Sequence, residues 1–304
     1  MATVITNLMS AIPWVGQDIV ESKNKTELPT IGTISPHALK KGKKERWNKS
    51  EFLSIPYTFI AMLVGLIDGD GYILIHKTAK GYIKINLTIS LNIRDLSVLQ
   101  YIKSVLNIGE ITTYPKGKKP DTCKLIINKT DLQEVFFPLL LHQKIFFLTD
   151  TRRDQFEKAM FILENEKKMY YEIPEIVPIV FKLPETALDY QGLSFFKDWI
   201  VGFTIAEGSF LVKVNKDACF QLKQKIHVLL FDAFKLVFDS NPKIGKDKNI
   251  YNSFSVSSKS DIQKVINFFS FSGHQPLIGH QGIRYIQWLT YLRNSARYCN
   301  LKFP

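Results

Sequence analysis

The sequence predicts an α+β protein in which one folding unit occurs twice in a single chain. An apolar segment that ends in an acid and a glycine, Leu63–Gly71, returns in altered form as Ile200–Gly208. A second pair of similar segments, Lys129–Gln133 and Lys259–Gln263, occurs in the same order and at nearly the same offset. Around both pairs, stretches with helical spacing are followed by stretches in which every second residue is apolar. Two matches in the same order indicate a duplicated unit.

The N-terminal residues differ in character from the repeats. Residues 1–21 closely resemble an internal stretch of mitochondrial cytochrome b, which implies an intron reading frame translated in continuity with its upstream exon. Residues 22–50 form a basic linker with eight Lys or Arg and two acids, and the difference of 8 − 2 = +6 is half of the net charge of +12. This linker could bind phosphates through its charge, or it could be a solvated tail with no specific role.

The first repeat, residues 51–172, is predicted to run helix, two strands, helix, two strands, helix. Along its second strand, one face carries polar side chains and the other apolar ones, which predicts a sheet that packs on one side and meets water on the other. Strands with such side chains can enter the DNA major groove, which is about 12 Å wide. The predicted elements after Gly71 are Tyr72–Lys77, Gly81–Leu91, the helix Asp95–Leu106, Glu110–Tyr114, Cys123–Asn128 and the helix Thr130–His142.

A proline-containing linker, residues 173–191, separates the first repeat from the second, residues 192–304. In the second repeat, strands Ser209–Val214 and Cys219–Lys225 precede a helix at Val228–Phe238. A strand at Tyr251–Ser257 then leads to a helix that begins near Ser260. Thr130 with Gln133, and Ser260 with Gln263, have the spacing of a capping box.

The two acid-tipped helices carry small residues four apart, which lets two helices approach closely. These small residues are Gly65 and Gly69 in the first copy and Gly202 and Ala206 in the second. If the helices pack together, Asp70 and Glu207 arrive side by side, and two such carboxylates suit a divalent cation. The alternative is a pair of helix-terminal acids without a metal. Acids are electrostatically disfavoured at helix C-termini, so this alternative explains the pattern less well.

The amino-acid composition restricts the classes of molecule that this protein is expected to bind. A net charge of +12 and an isoelectric point near 9.4 favour a polyanion, with nucleic acid first and an acidic membrane surface second. The three cysteines are far apart in sequence and form neither a zinc pattern nor a disulfide framework. The apolar run before Asp68 is shorter than the roughly 20 residues that span a bilayer, so stable membrane insertion is not expected.

Leu63–Gly71 and Ile200–Gly208 resemble the two signature helices of a double-motif LAGLIDADG homing endonuclease of the kind encoded in fungal mitochondrial introns. The resemblance covers residues 52 to 304 and includes the closing pattern Leu277–Tyr285 with Trp288. It implies a monomer of two pseudo-symmetric αββαββα repeats. The signature helices would form the central interface, and the antiparallel sheets would form a saddle over double-stranded DNA.

The resemblance also implies the site. Asp70 and Glu207 would bind Mg²⁺, and the predicted metal site includes the preceding residues Gly69 and Ala206. Gln224, Gln281 and Arg153 complete the predicted catalytic set. Gln281 lies where active relatives usually have a lysine, and the first repeat offers arginines at Thr149–Arg153 instead. Asp68, whose counterpart is Ile205, is interpreted as structural.

Two functions follow from these observations. The first is a site-specific endonuclease that cuts both DNA strands at the intronless cytochrome b allele. The second is a maturase that binds its own cytochrome b intron RNA and cuts DNA little or not at all. Several relatives encoded in cytochrome b introns have the maturase role, so the two can coexist. Both predict location in the mitochondrial matrix. A purely structural RNA- or membrane-associated protein would explain the charge but not the repeated acids.

Overall fold

The computed structural model describes residues 52–114, 121–225, 227–248 and 250–304. The predicted leader (1–21) and basic linker (22–50) lie outside these residues. The helices are α1 (Tyr57–Asp70), α2 (Leu96–Leu106), α3 (Phe137–Gln143), α4 (Asp150–Glu164), α5 (Ala187–Gly192), α6 (Phe196–Glu207), α7 (Val228–Val237), α8 (Lys259–Phe271) and α9 (Gly279–Asn294). One helical turn at Lys129–Asp131 and a π-helical stretch at Leu132–Phe136 lead into α3, and short 3₁₀ turns occupy Ile93–Asp95 and Tyr170–Glu172.

Each repeat contains one four-stranded antiparallel sheet. The strands are β1 (Gly71–Lys77), β2 (Ile83–Asn92), β3 (Glu110–Tyr114), β4 (Thr122–Asn128), β5 (Gly208–Val212), β6 (Ala218–Lys225), β7 (Gly245–Asp247) and β8 (Tyr251–Val256). The first sheet has the order β1-β2-β4-β3 and the second has the order β5-β6-β8-β7. The same strand order in both sheets confirms the predicted α+β class with two related repeats.

The core lies between each sheet and its helices. On β2, Ile85, Leu87 and Ile89 are buried, while the adjacent Lys84 is exposed. The second repeat fills the same layer with aromatic rings, among them Phe220 on β6, which contacts Phe210, Phe238 and Phe269. Alternation along the strands therefore gives each sheet one packed face and one face in contact with solvent.

The predicted capping boxes are wrong. The helical segment after β4 is capped by Asn128, whose side chain accepts from the Asp131 N–H at 3.0 Å. Ser258 does the same before α8, accepting from the Asp261 N–H at 3.1 Å. Both caps lie two residues before the predicted ones, because the side-chain oxygen at that position already reaches the third helical N–H. Each cap directly precedes the lysine that begins its repeated segment, so the repeat includes the caps.

The sequence analysis missed four of the helices and strands, namely α4, α5, α9 and β7. β7 has only three residues, and its composition carries no alternation that would distinguish it from a loop. Helix α4 was considered only as a charged segment near Arg152, although it buries Phe156, Met160 and Leu163. Within the described residues, no helix is both long enough and apolar enough to cross a bilayer.

Candidate active site

Helices α1 and α6 cross at two glycines that allow their backbones to touch. A Cβ atom on Gly65 would lie 2.0 Å from the carbonyl oxygen of Trp199, and one on Gly202 would lie 1.7 Å from that of Met62. Met62 and Trp199 are separated in sequence by the same interval as the two glycines. The contact is therefore reciprocal, as in a two-fold symmetric dimer interface within one chain.

Equivalent residues also meet at both ends of this helix pair. At the N-terminal end, the Tyr57 Oη and Ser194 Oγ atoms are 2.6 Å apart, and these residues are 137 positions apart. At the C-terminal end, a Cβ on Gly69 would lie 2.3 Å from the Cβ of Ala206 and 3.2 Å from the Cγ of Glu207. The C-terminal ends of the two helices therefore lie side by side.

A glycine is required after each acid because the backbone at this position lies too close to the preceding helical turn to leave room for a Cβ atom. Gly71 and Gly208 have φ angles of −100° and −81°, which any residue can adopt. A Cβ on Gly71 would lie 2.9 Å from the Cα of Ile67, and one on Gly208 would lie 2.5 Å from the carbonyl oxygen of Thr204. Each glycine lets the chain turn from the end of the helix directly into the first strand of the sheet.

Asp70 and Glu207 are both half-buried at these helix ends. Burial, together with the neighbouring charges of Glu207 and Asp95, raises the pKa of Asp70 to about 7, although the charge of Arg152 opposes this rise. Burial also raises the pKa of Glu207, against the hydrogen bond from Gln224 and the charge of Arg152. Two acids that both resist ionisation form a site that would gain from a bound cation.

Each helix end receives one side chain from the helix that closes its own repeat. The Arg152 Nε atom on α4 donates to the Ile67 carbonyl at 3.3 Å. The Gln281 Nε2 atom on α9 donates to the Thr204 carbonyl at 3.1 Å and also to the Gly208 carbonyl. Ile67 and Thr204 occupy equivalent positions in the two aligned motifs. Arg152 and Gln281 therefore make corresponding contacts in the two repeats.

Gln224 lies beside Glu207. Its Nε2 atom donates to the Glu207 Oε1 atom at 3.1 Å, and its Oε1 atom accepts from the Lys225 N–H at 2.8 Å. These two bonds orient the amide so that an N–H points at the carboxylate. Gln224 thus contacts Glu207, and Gln281 contacts the adjacent Gly208, while the catalytic role of both residues stays a prediction.

Arg153 is placed elsewhere. Its guanidinium contacts Asp154 at 3.3 Å and Asp150 at 3.8 Å, both on its own helix α4. Because successive residues of a helix point about 100° apart, only one of the two neighbouring arginines can face the acids, and that residue is Arg152. The sequence analysis selected Arg153 for the catalytic set, whereas the arginine that lies near the acids is its neighbour Arg152.

The surroundings of Asp68 fit the structural role that the sequence analysis assigned to this residue. Its carboxylate accepts from the Leu148 N–H at 2.8 Å, the Thr149 N–H at 3.2 Å and hydroxyl at 2.6 Å, and the Trp199 indole N–H at 2.8 Å. Burial raises the pKa of Asp68 to about 6, although these hydrogen bonds lower it. Asp68 therefore ties α1 to the start of α4 and to α6.

The sequence analysis did not identify Asp95 as a residue near the site. This residue ends a 3₁₀ turn before α2, and its carboxylate accepts from the His280 N–H at the start of α9 at 2.7 Å. It thereby connects the first repeat to the helix that carries Gln281. Its charge is also one of the causes that raise the pKa of Asp70. Only the tertiary fold brings residues 95 and 280 together, so no local pattern could reveal this contact.

The donor set at the helix ends fits a divalent cation. Hard cations prefer carboxylate and carbonyl oxygens, and two half-buried carboxylates supply them here, with Gly69 and Ala206 directly before the acids. Among the described residues, no group of three or more His, Cys, Asp or Glu side chains is arranged around a metal position. A cation at Asp70 and Glu207 would therefore need water or phosphate oxygens to complete its shell.

The solvent-facing side of each sheet is polar and basic. In the pairing of neighbouring strands, His76 lies opposite Lys84 on the first sheet, and Lys223 lies opposite Ser253 on the second. Lys84 and Lys225 are exposed at these faces. Such faces are suited to phosphate contacts and to reading base edges.

The chain is similar in sequence to intron-encoded nucleases. The LAGLIDADG endonuclease family matches residues 63–156. The probable intron-encoded endonuclease aI3 of Dictyostelium citrinum is 22% identical over 221 residues, which cover 72% of this chain and 88% of that protein. Its counterpart in Dictyostelium discoideum is 22% identical over 227 residues, which cover 71% and 89%. At the N-terminus, 20 residues are 95% identical to cytochrome b of Aspergillus terreus, covering 7% of this chain and 14% of that protein.

The fold is shared with solved meganucleases. The LAGLIDADG homing endonuclease I-SmaMI bound to cleaved DNA superposes with a TM-score of 0.59 at 19% identity, covering 76% of this chain and 87% of that one. I-SmaMI bound to an uncleaved DNA target in the presence of calcium ions gives 0.58 at 20%, covering 77% and 91%. I-CpaMI bound to uncleaved DNA gives 0.57 at 21%, covering 76% and 90%. Together these matches confirm the predicted resemblance and the predicted fold.

Proposed function

We propose that this chain, which matches the LAGLIDADG endonucleases in sequence and in fold, is a homing endonuclease that cuts both strands of double-stranded DNA at the intronless cytochrome b allele. The observation that carries the proposal is that two helices in backbone contact place their acid-bearing ends side by side, so that the charge of Glu207 acts on Asp70. The cytochrome b match at the N-terminus supports the target gene, and the DNA-bound neighbours support the substrate.

The acids would hold Mg²⁺, which when bound supplies activation of water and stabilisation of charge on the leaving oxygen. Hydrolysis adds water across one phosphodiester: the P–O3′ bond breaks, the water oxygen stays on phosphorus, and the 3′ oxygen takes a proton. Gln224 keeps the Glu207 carboxylate in place, and Gln281 and Arg152 fix the two helix ends. The basic sheet faces would position the duplex by phosphate contacts.

The proposal is tested by incubating a plasmid carrying the fused cytochrome b exon junction with the purified protein and Mg²⁺. Wild type is expected to linearise the plasmid. The variant Asp70→Asn with Glu207→Gln keeps the shape of both side chains but removes their charge, and is expected to lose at least about 10³-fold in rate. Unchanged target binding in EDTA would show that the variant is folded. Equal cleavage by both proteins would refute the assigned site.

A second function, an intron RNA maturase, is favoured by one observation. The helix end near Glu207 is contacted by the neutral Gln281, so the charge arrangement there is poorer than at the Asp70 end. In this function the basic surfaces would bind the chain's own cytochrome b intron RNA and the acids would be dispensable. Rescue of splicing by the double acid variant, with no DNA cleavage by wild type, would support it over the nuclease.

The remaining assignments follow from the same observations. Two repeats in one chain complete the helix interface, so we propose that the protein acts as a monomer. The similarity to cytochrome b and to intron-encoded endonucleases supports an origin in a mitochondrial genome, and we propose the matrix as the place of action. Sedimentation of the protein alone and bound to its target would test the monomer.

A further inference from the structure

A cleft on the second repeat is formed by residues that the proposed hydrolysis does not use. It lies between helix α7, the loop that follows this helix, and strands β7 and β8, and its volume is about 490 Å³. Small-molecule sites usually have volumes of roughly 300–1,000 Å³. Part of the wall is apolar and is formed by Val228, Pro242 and Ile244. Such a wall suits a flat ring with little charge of its own.

One polar side chain in this cleft is buried without a hydrogen bond to its oxygen. Asn252 on β8 lines the cleft and is 2% exposed, and within the described residues its buried Oδ1 atom has no hydrogen-bond partner. A buried acceptor of this kind costs free energy unless a donor reaches it. A ligand that offers an N–H or O–H group would therefore complete the site.

The strand register shows which side of the sheet Asn252 occupies. It lies directly opposite Gln224 on β6 and Lys246 on β7, and residues in such a cross-strand row share one side of a sheet. Phe254, two residues further along β8, is in the core, so this is the side that packs against helices. The cleft therefore lies on the side of the sheet opposite to Lys223, which is on the face proposed for DNA.

Among the described residues, the first repeat has no counterpart of this row. The registers place Leu91, Cys123 and Thr113 at the corresponding positions, so an apolar side chain, a thiol and a hydroxyl replace two amides and an ammonium group. The Cys123 thiol donates to the Asn92 carbonyl at 3.3 Å, so the residue that corresponds to Asn252 has a partner. The amide without a partner is thus a feature of the second repeat and not a requirement of the shared fold.

The cleft also carries positive charge. Of the three lysines that line it, Lys235 forms an ion pair between its Nζ atom and the Asp232 Oδ1 atom at 2.8 Å. The other two, Lys243 and Lys246, form no ion pair with an acid among the described residues. Ammonium groups bind phosphate as point charges. The cleft thus combines two ammonium groups, an apolar wall and an amide oxygen that lacks a donor.

We propose that this cleft binds a free nucleotide whose base carries an amino group, and adenosine 5′-monophosphate (AMP) is the simplest such ligand. An asparagine amide matches the N6 and N7 atoms of adenine, and the N6 amino group would supply the donor that the amide oxygen lacks. Val228, Pro242 and Ile244 would cover the base, and Lys243 and Lys246 would hold the phosphate. A phosphate ion would leave the amide and the apolar wall unused, and an uncharged nucleoside would leave the two lysines unused.

The test is calorimetric titration of the full-length protein in EDTA, so that no metal at Asp70 and Glu207 can attract a phosphate. AMP is compared with inosine 5′-monophosphate (IMP), which has a carbonyl oxygen in place of the amino group, and with adenosine and inorganic phosphate. AMP should bind saturably and at least about tenfold more tightly than each of the other three, because each of them leaves part of the site without a partner.

Two variants remove the two parts of the site separately. Asn252→Leu keeps the size of the side chain and deletes the buried acceptor, so the protein should stay folded in thermal unfolding while its affinity for AMP falls at least about tenfold. Lys243→Gln with Lys246→Gln should bring the affinity for AMP close to that for adenosine. The matched control, Lys213→Gln with Lys216→Gln, removes the same charge from the turn between β5 and β6 and should change AMP affinity less than about threefold.

AMP binding that both cleft variants weaken and the control variant leaves unchanged would support the site. No saturable binding of AMP at millimolar concentrations would refute it, as would equal affinity for AMP and IMP, or phosphate that binds as tightly as AMP. An equal loss in the control variant would show non-specific attraction by charge and would also refute it. If single-stranded RNA binds and Asn252→Leu weakens it while AMP does not bind, the occupant is RNA and the proposal of a free nucleotide is wrong. These results do not depend on DNA cleavage, because binding is the quantity measured.

Discussion

Asp68 and Asp70 are two residues apart on α1, and their surroundings give them different roles. Asp68 accepts four hydrogen bonds from three neighbouring residues, so its charge is compensated within the protein. Among the described residues, Asp70 has the negative charges of Glu207 and Asp95 nearby, and the charge of Arg152 opposes them. The first carboxylate stabilises the fold, and the second is available to a cation.

Asp68→Asn should lower the free energy of unfolding by about 3 kcal/mol. The amide N–H₂ group of the new side chain would face N–H and O–H groups that now donate hydrogen bonds to the carboxylate. Urea denaturation measures this change. Asp154→Asn, which alters an exposed carboxylate paired with Arg153, is the control and should cost less than about 0.5 kcal/mol. A loss below about 1 kcal/mol in Asp68→Asn would contradict the structural role assigned to this residue.

Stability without metal should depend on pH through Asp70. Its folded pKa of about 7 lies above the ordinary value of 3.8, so the folded protein binds more protons than the unfolded chain between these values. The contribution of Asp70 to stability is therefore present at low pH and is lost as the pH rises through this window. Asp70→Asn should gain stability relative to wild type from pH 4.5 to 7.5 in EDTA; a constant or declining difference would contradict this.

Among individual residues, the sequence analysis selected Asp70 and Glu207 but did not select Arg152. The repeated acid–glycine ending identifies Asp70 and Glu207 from pattern alone. Which of Arg152 and Arg153 faces the acids depends on the orientation of α4 about its own axis. That orientation is set by which residues of α4 are buried in the core. The contact between Asp95 and α9 crosses from one repeat to the other and has no local signature.

Among the elements, the pair α1 and α6 determines where the site is. Both helices are buried along most of their length, and their small residues face each other, so the helix ends cannot separate without exposing apolar surface. The sequence predicted this pairing from small residues four positions apart. It predicted strand positions within about two residues because alternation is a strong signal where one face is buried. It missed β7 because three residues carry no period.

Gly202→Ala should lower the free energy of unfolding by at least about 3 kcal/mol, because the new Cβ would lie 1.7 Å from a backbone oxygen that cannot move without shifting α1. Gly192→Ala is the matched control, since nothing lies within 4 Å of the Cβ position there. Thermal or urea unfolding compares the two. Equal stability of both variants would show that the helices do not touch as described.

At the scale of the whole described chain, two sheets of the same strand order and a reciprocal helix contact form two pseudo-symmetric repeats. The duplication made this architecture predictable from sequence. The boundaries of the repeats, 51–172 and 192–304, stay predictions. The unequal groups around the two acids arose where the repeats diverged, and a repeat pattern alone cannot show divergence in function.

The sheet faces should contribute to DNA affinity through charge. Replacing Lys84 and Lys225, one on each sheet, with Ala should weaken target binding and reduce the slope of log affinity against log salt by nearly two, about 0.9 for each lost phosphate contact. Lys182→Ala is the control, because Lys182 pairs with Glu185 at 2.6 Å in the predicted linker. An unchanged slope in the double variant would place the duplex on another surface.

The most direct test of the shared acid site is the position of a bound metal. Crystals of the protein with its exon-junction duplex, grown with Mn²⁺ in place of Mg²⁺, would show the ion by anomalous scattering. The account predicts a peak within coordination distance of both the Asp70 and Glu207 carboxylates, and its loss in Asp70→Asn with Glu207→Gln. Metal peaks only at other places, or carboxylates that contact no metal, would contradict it.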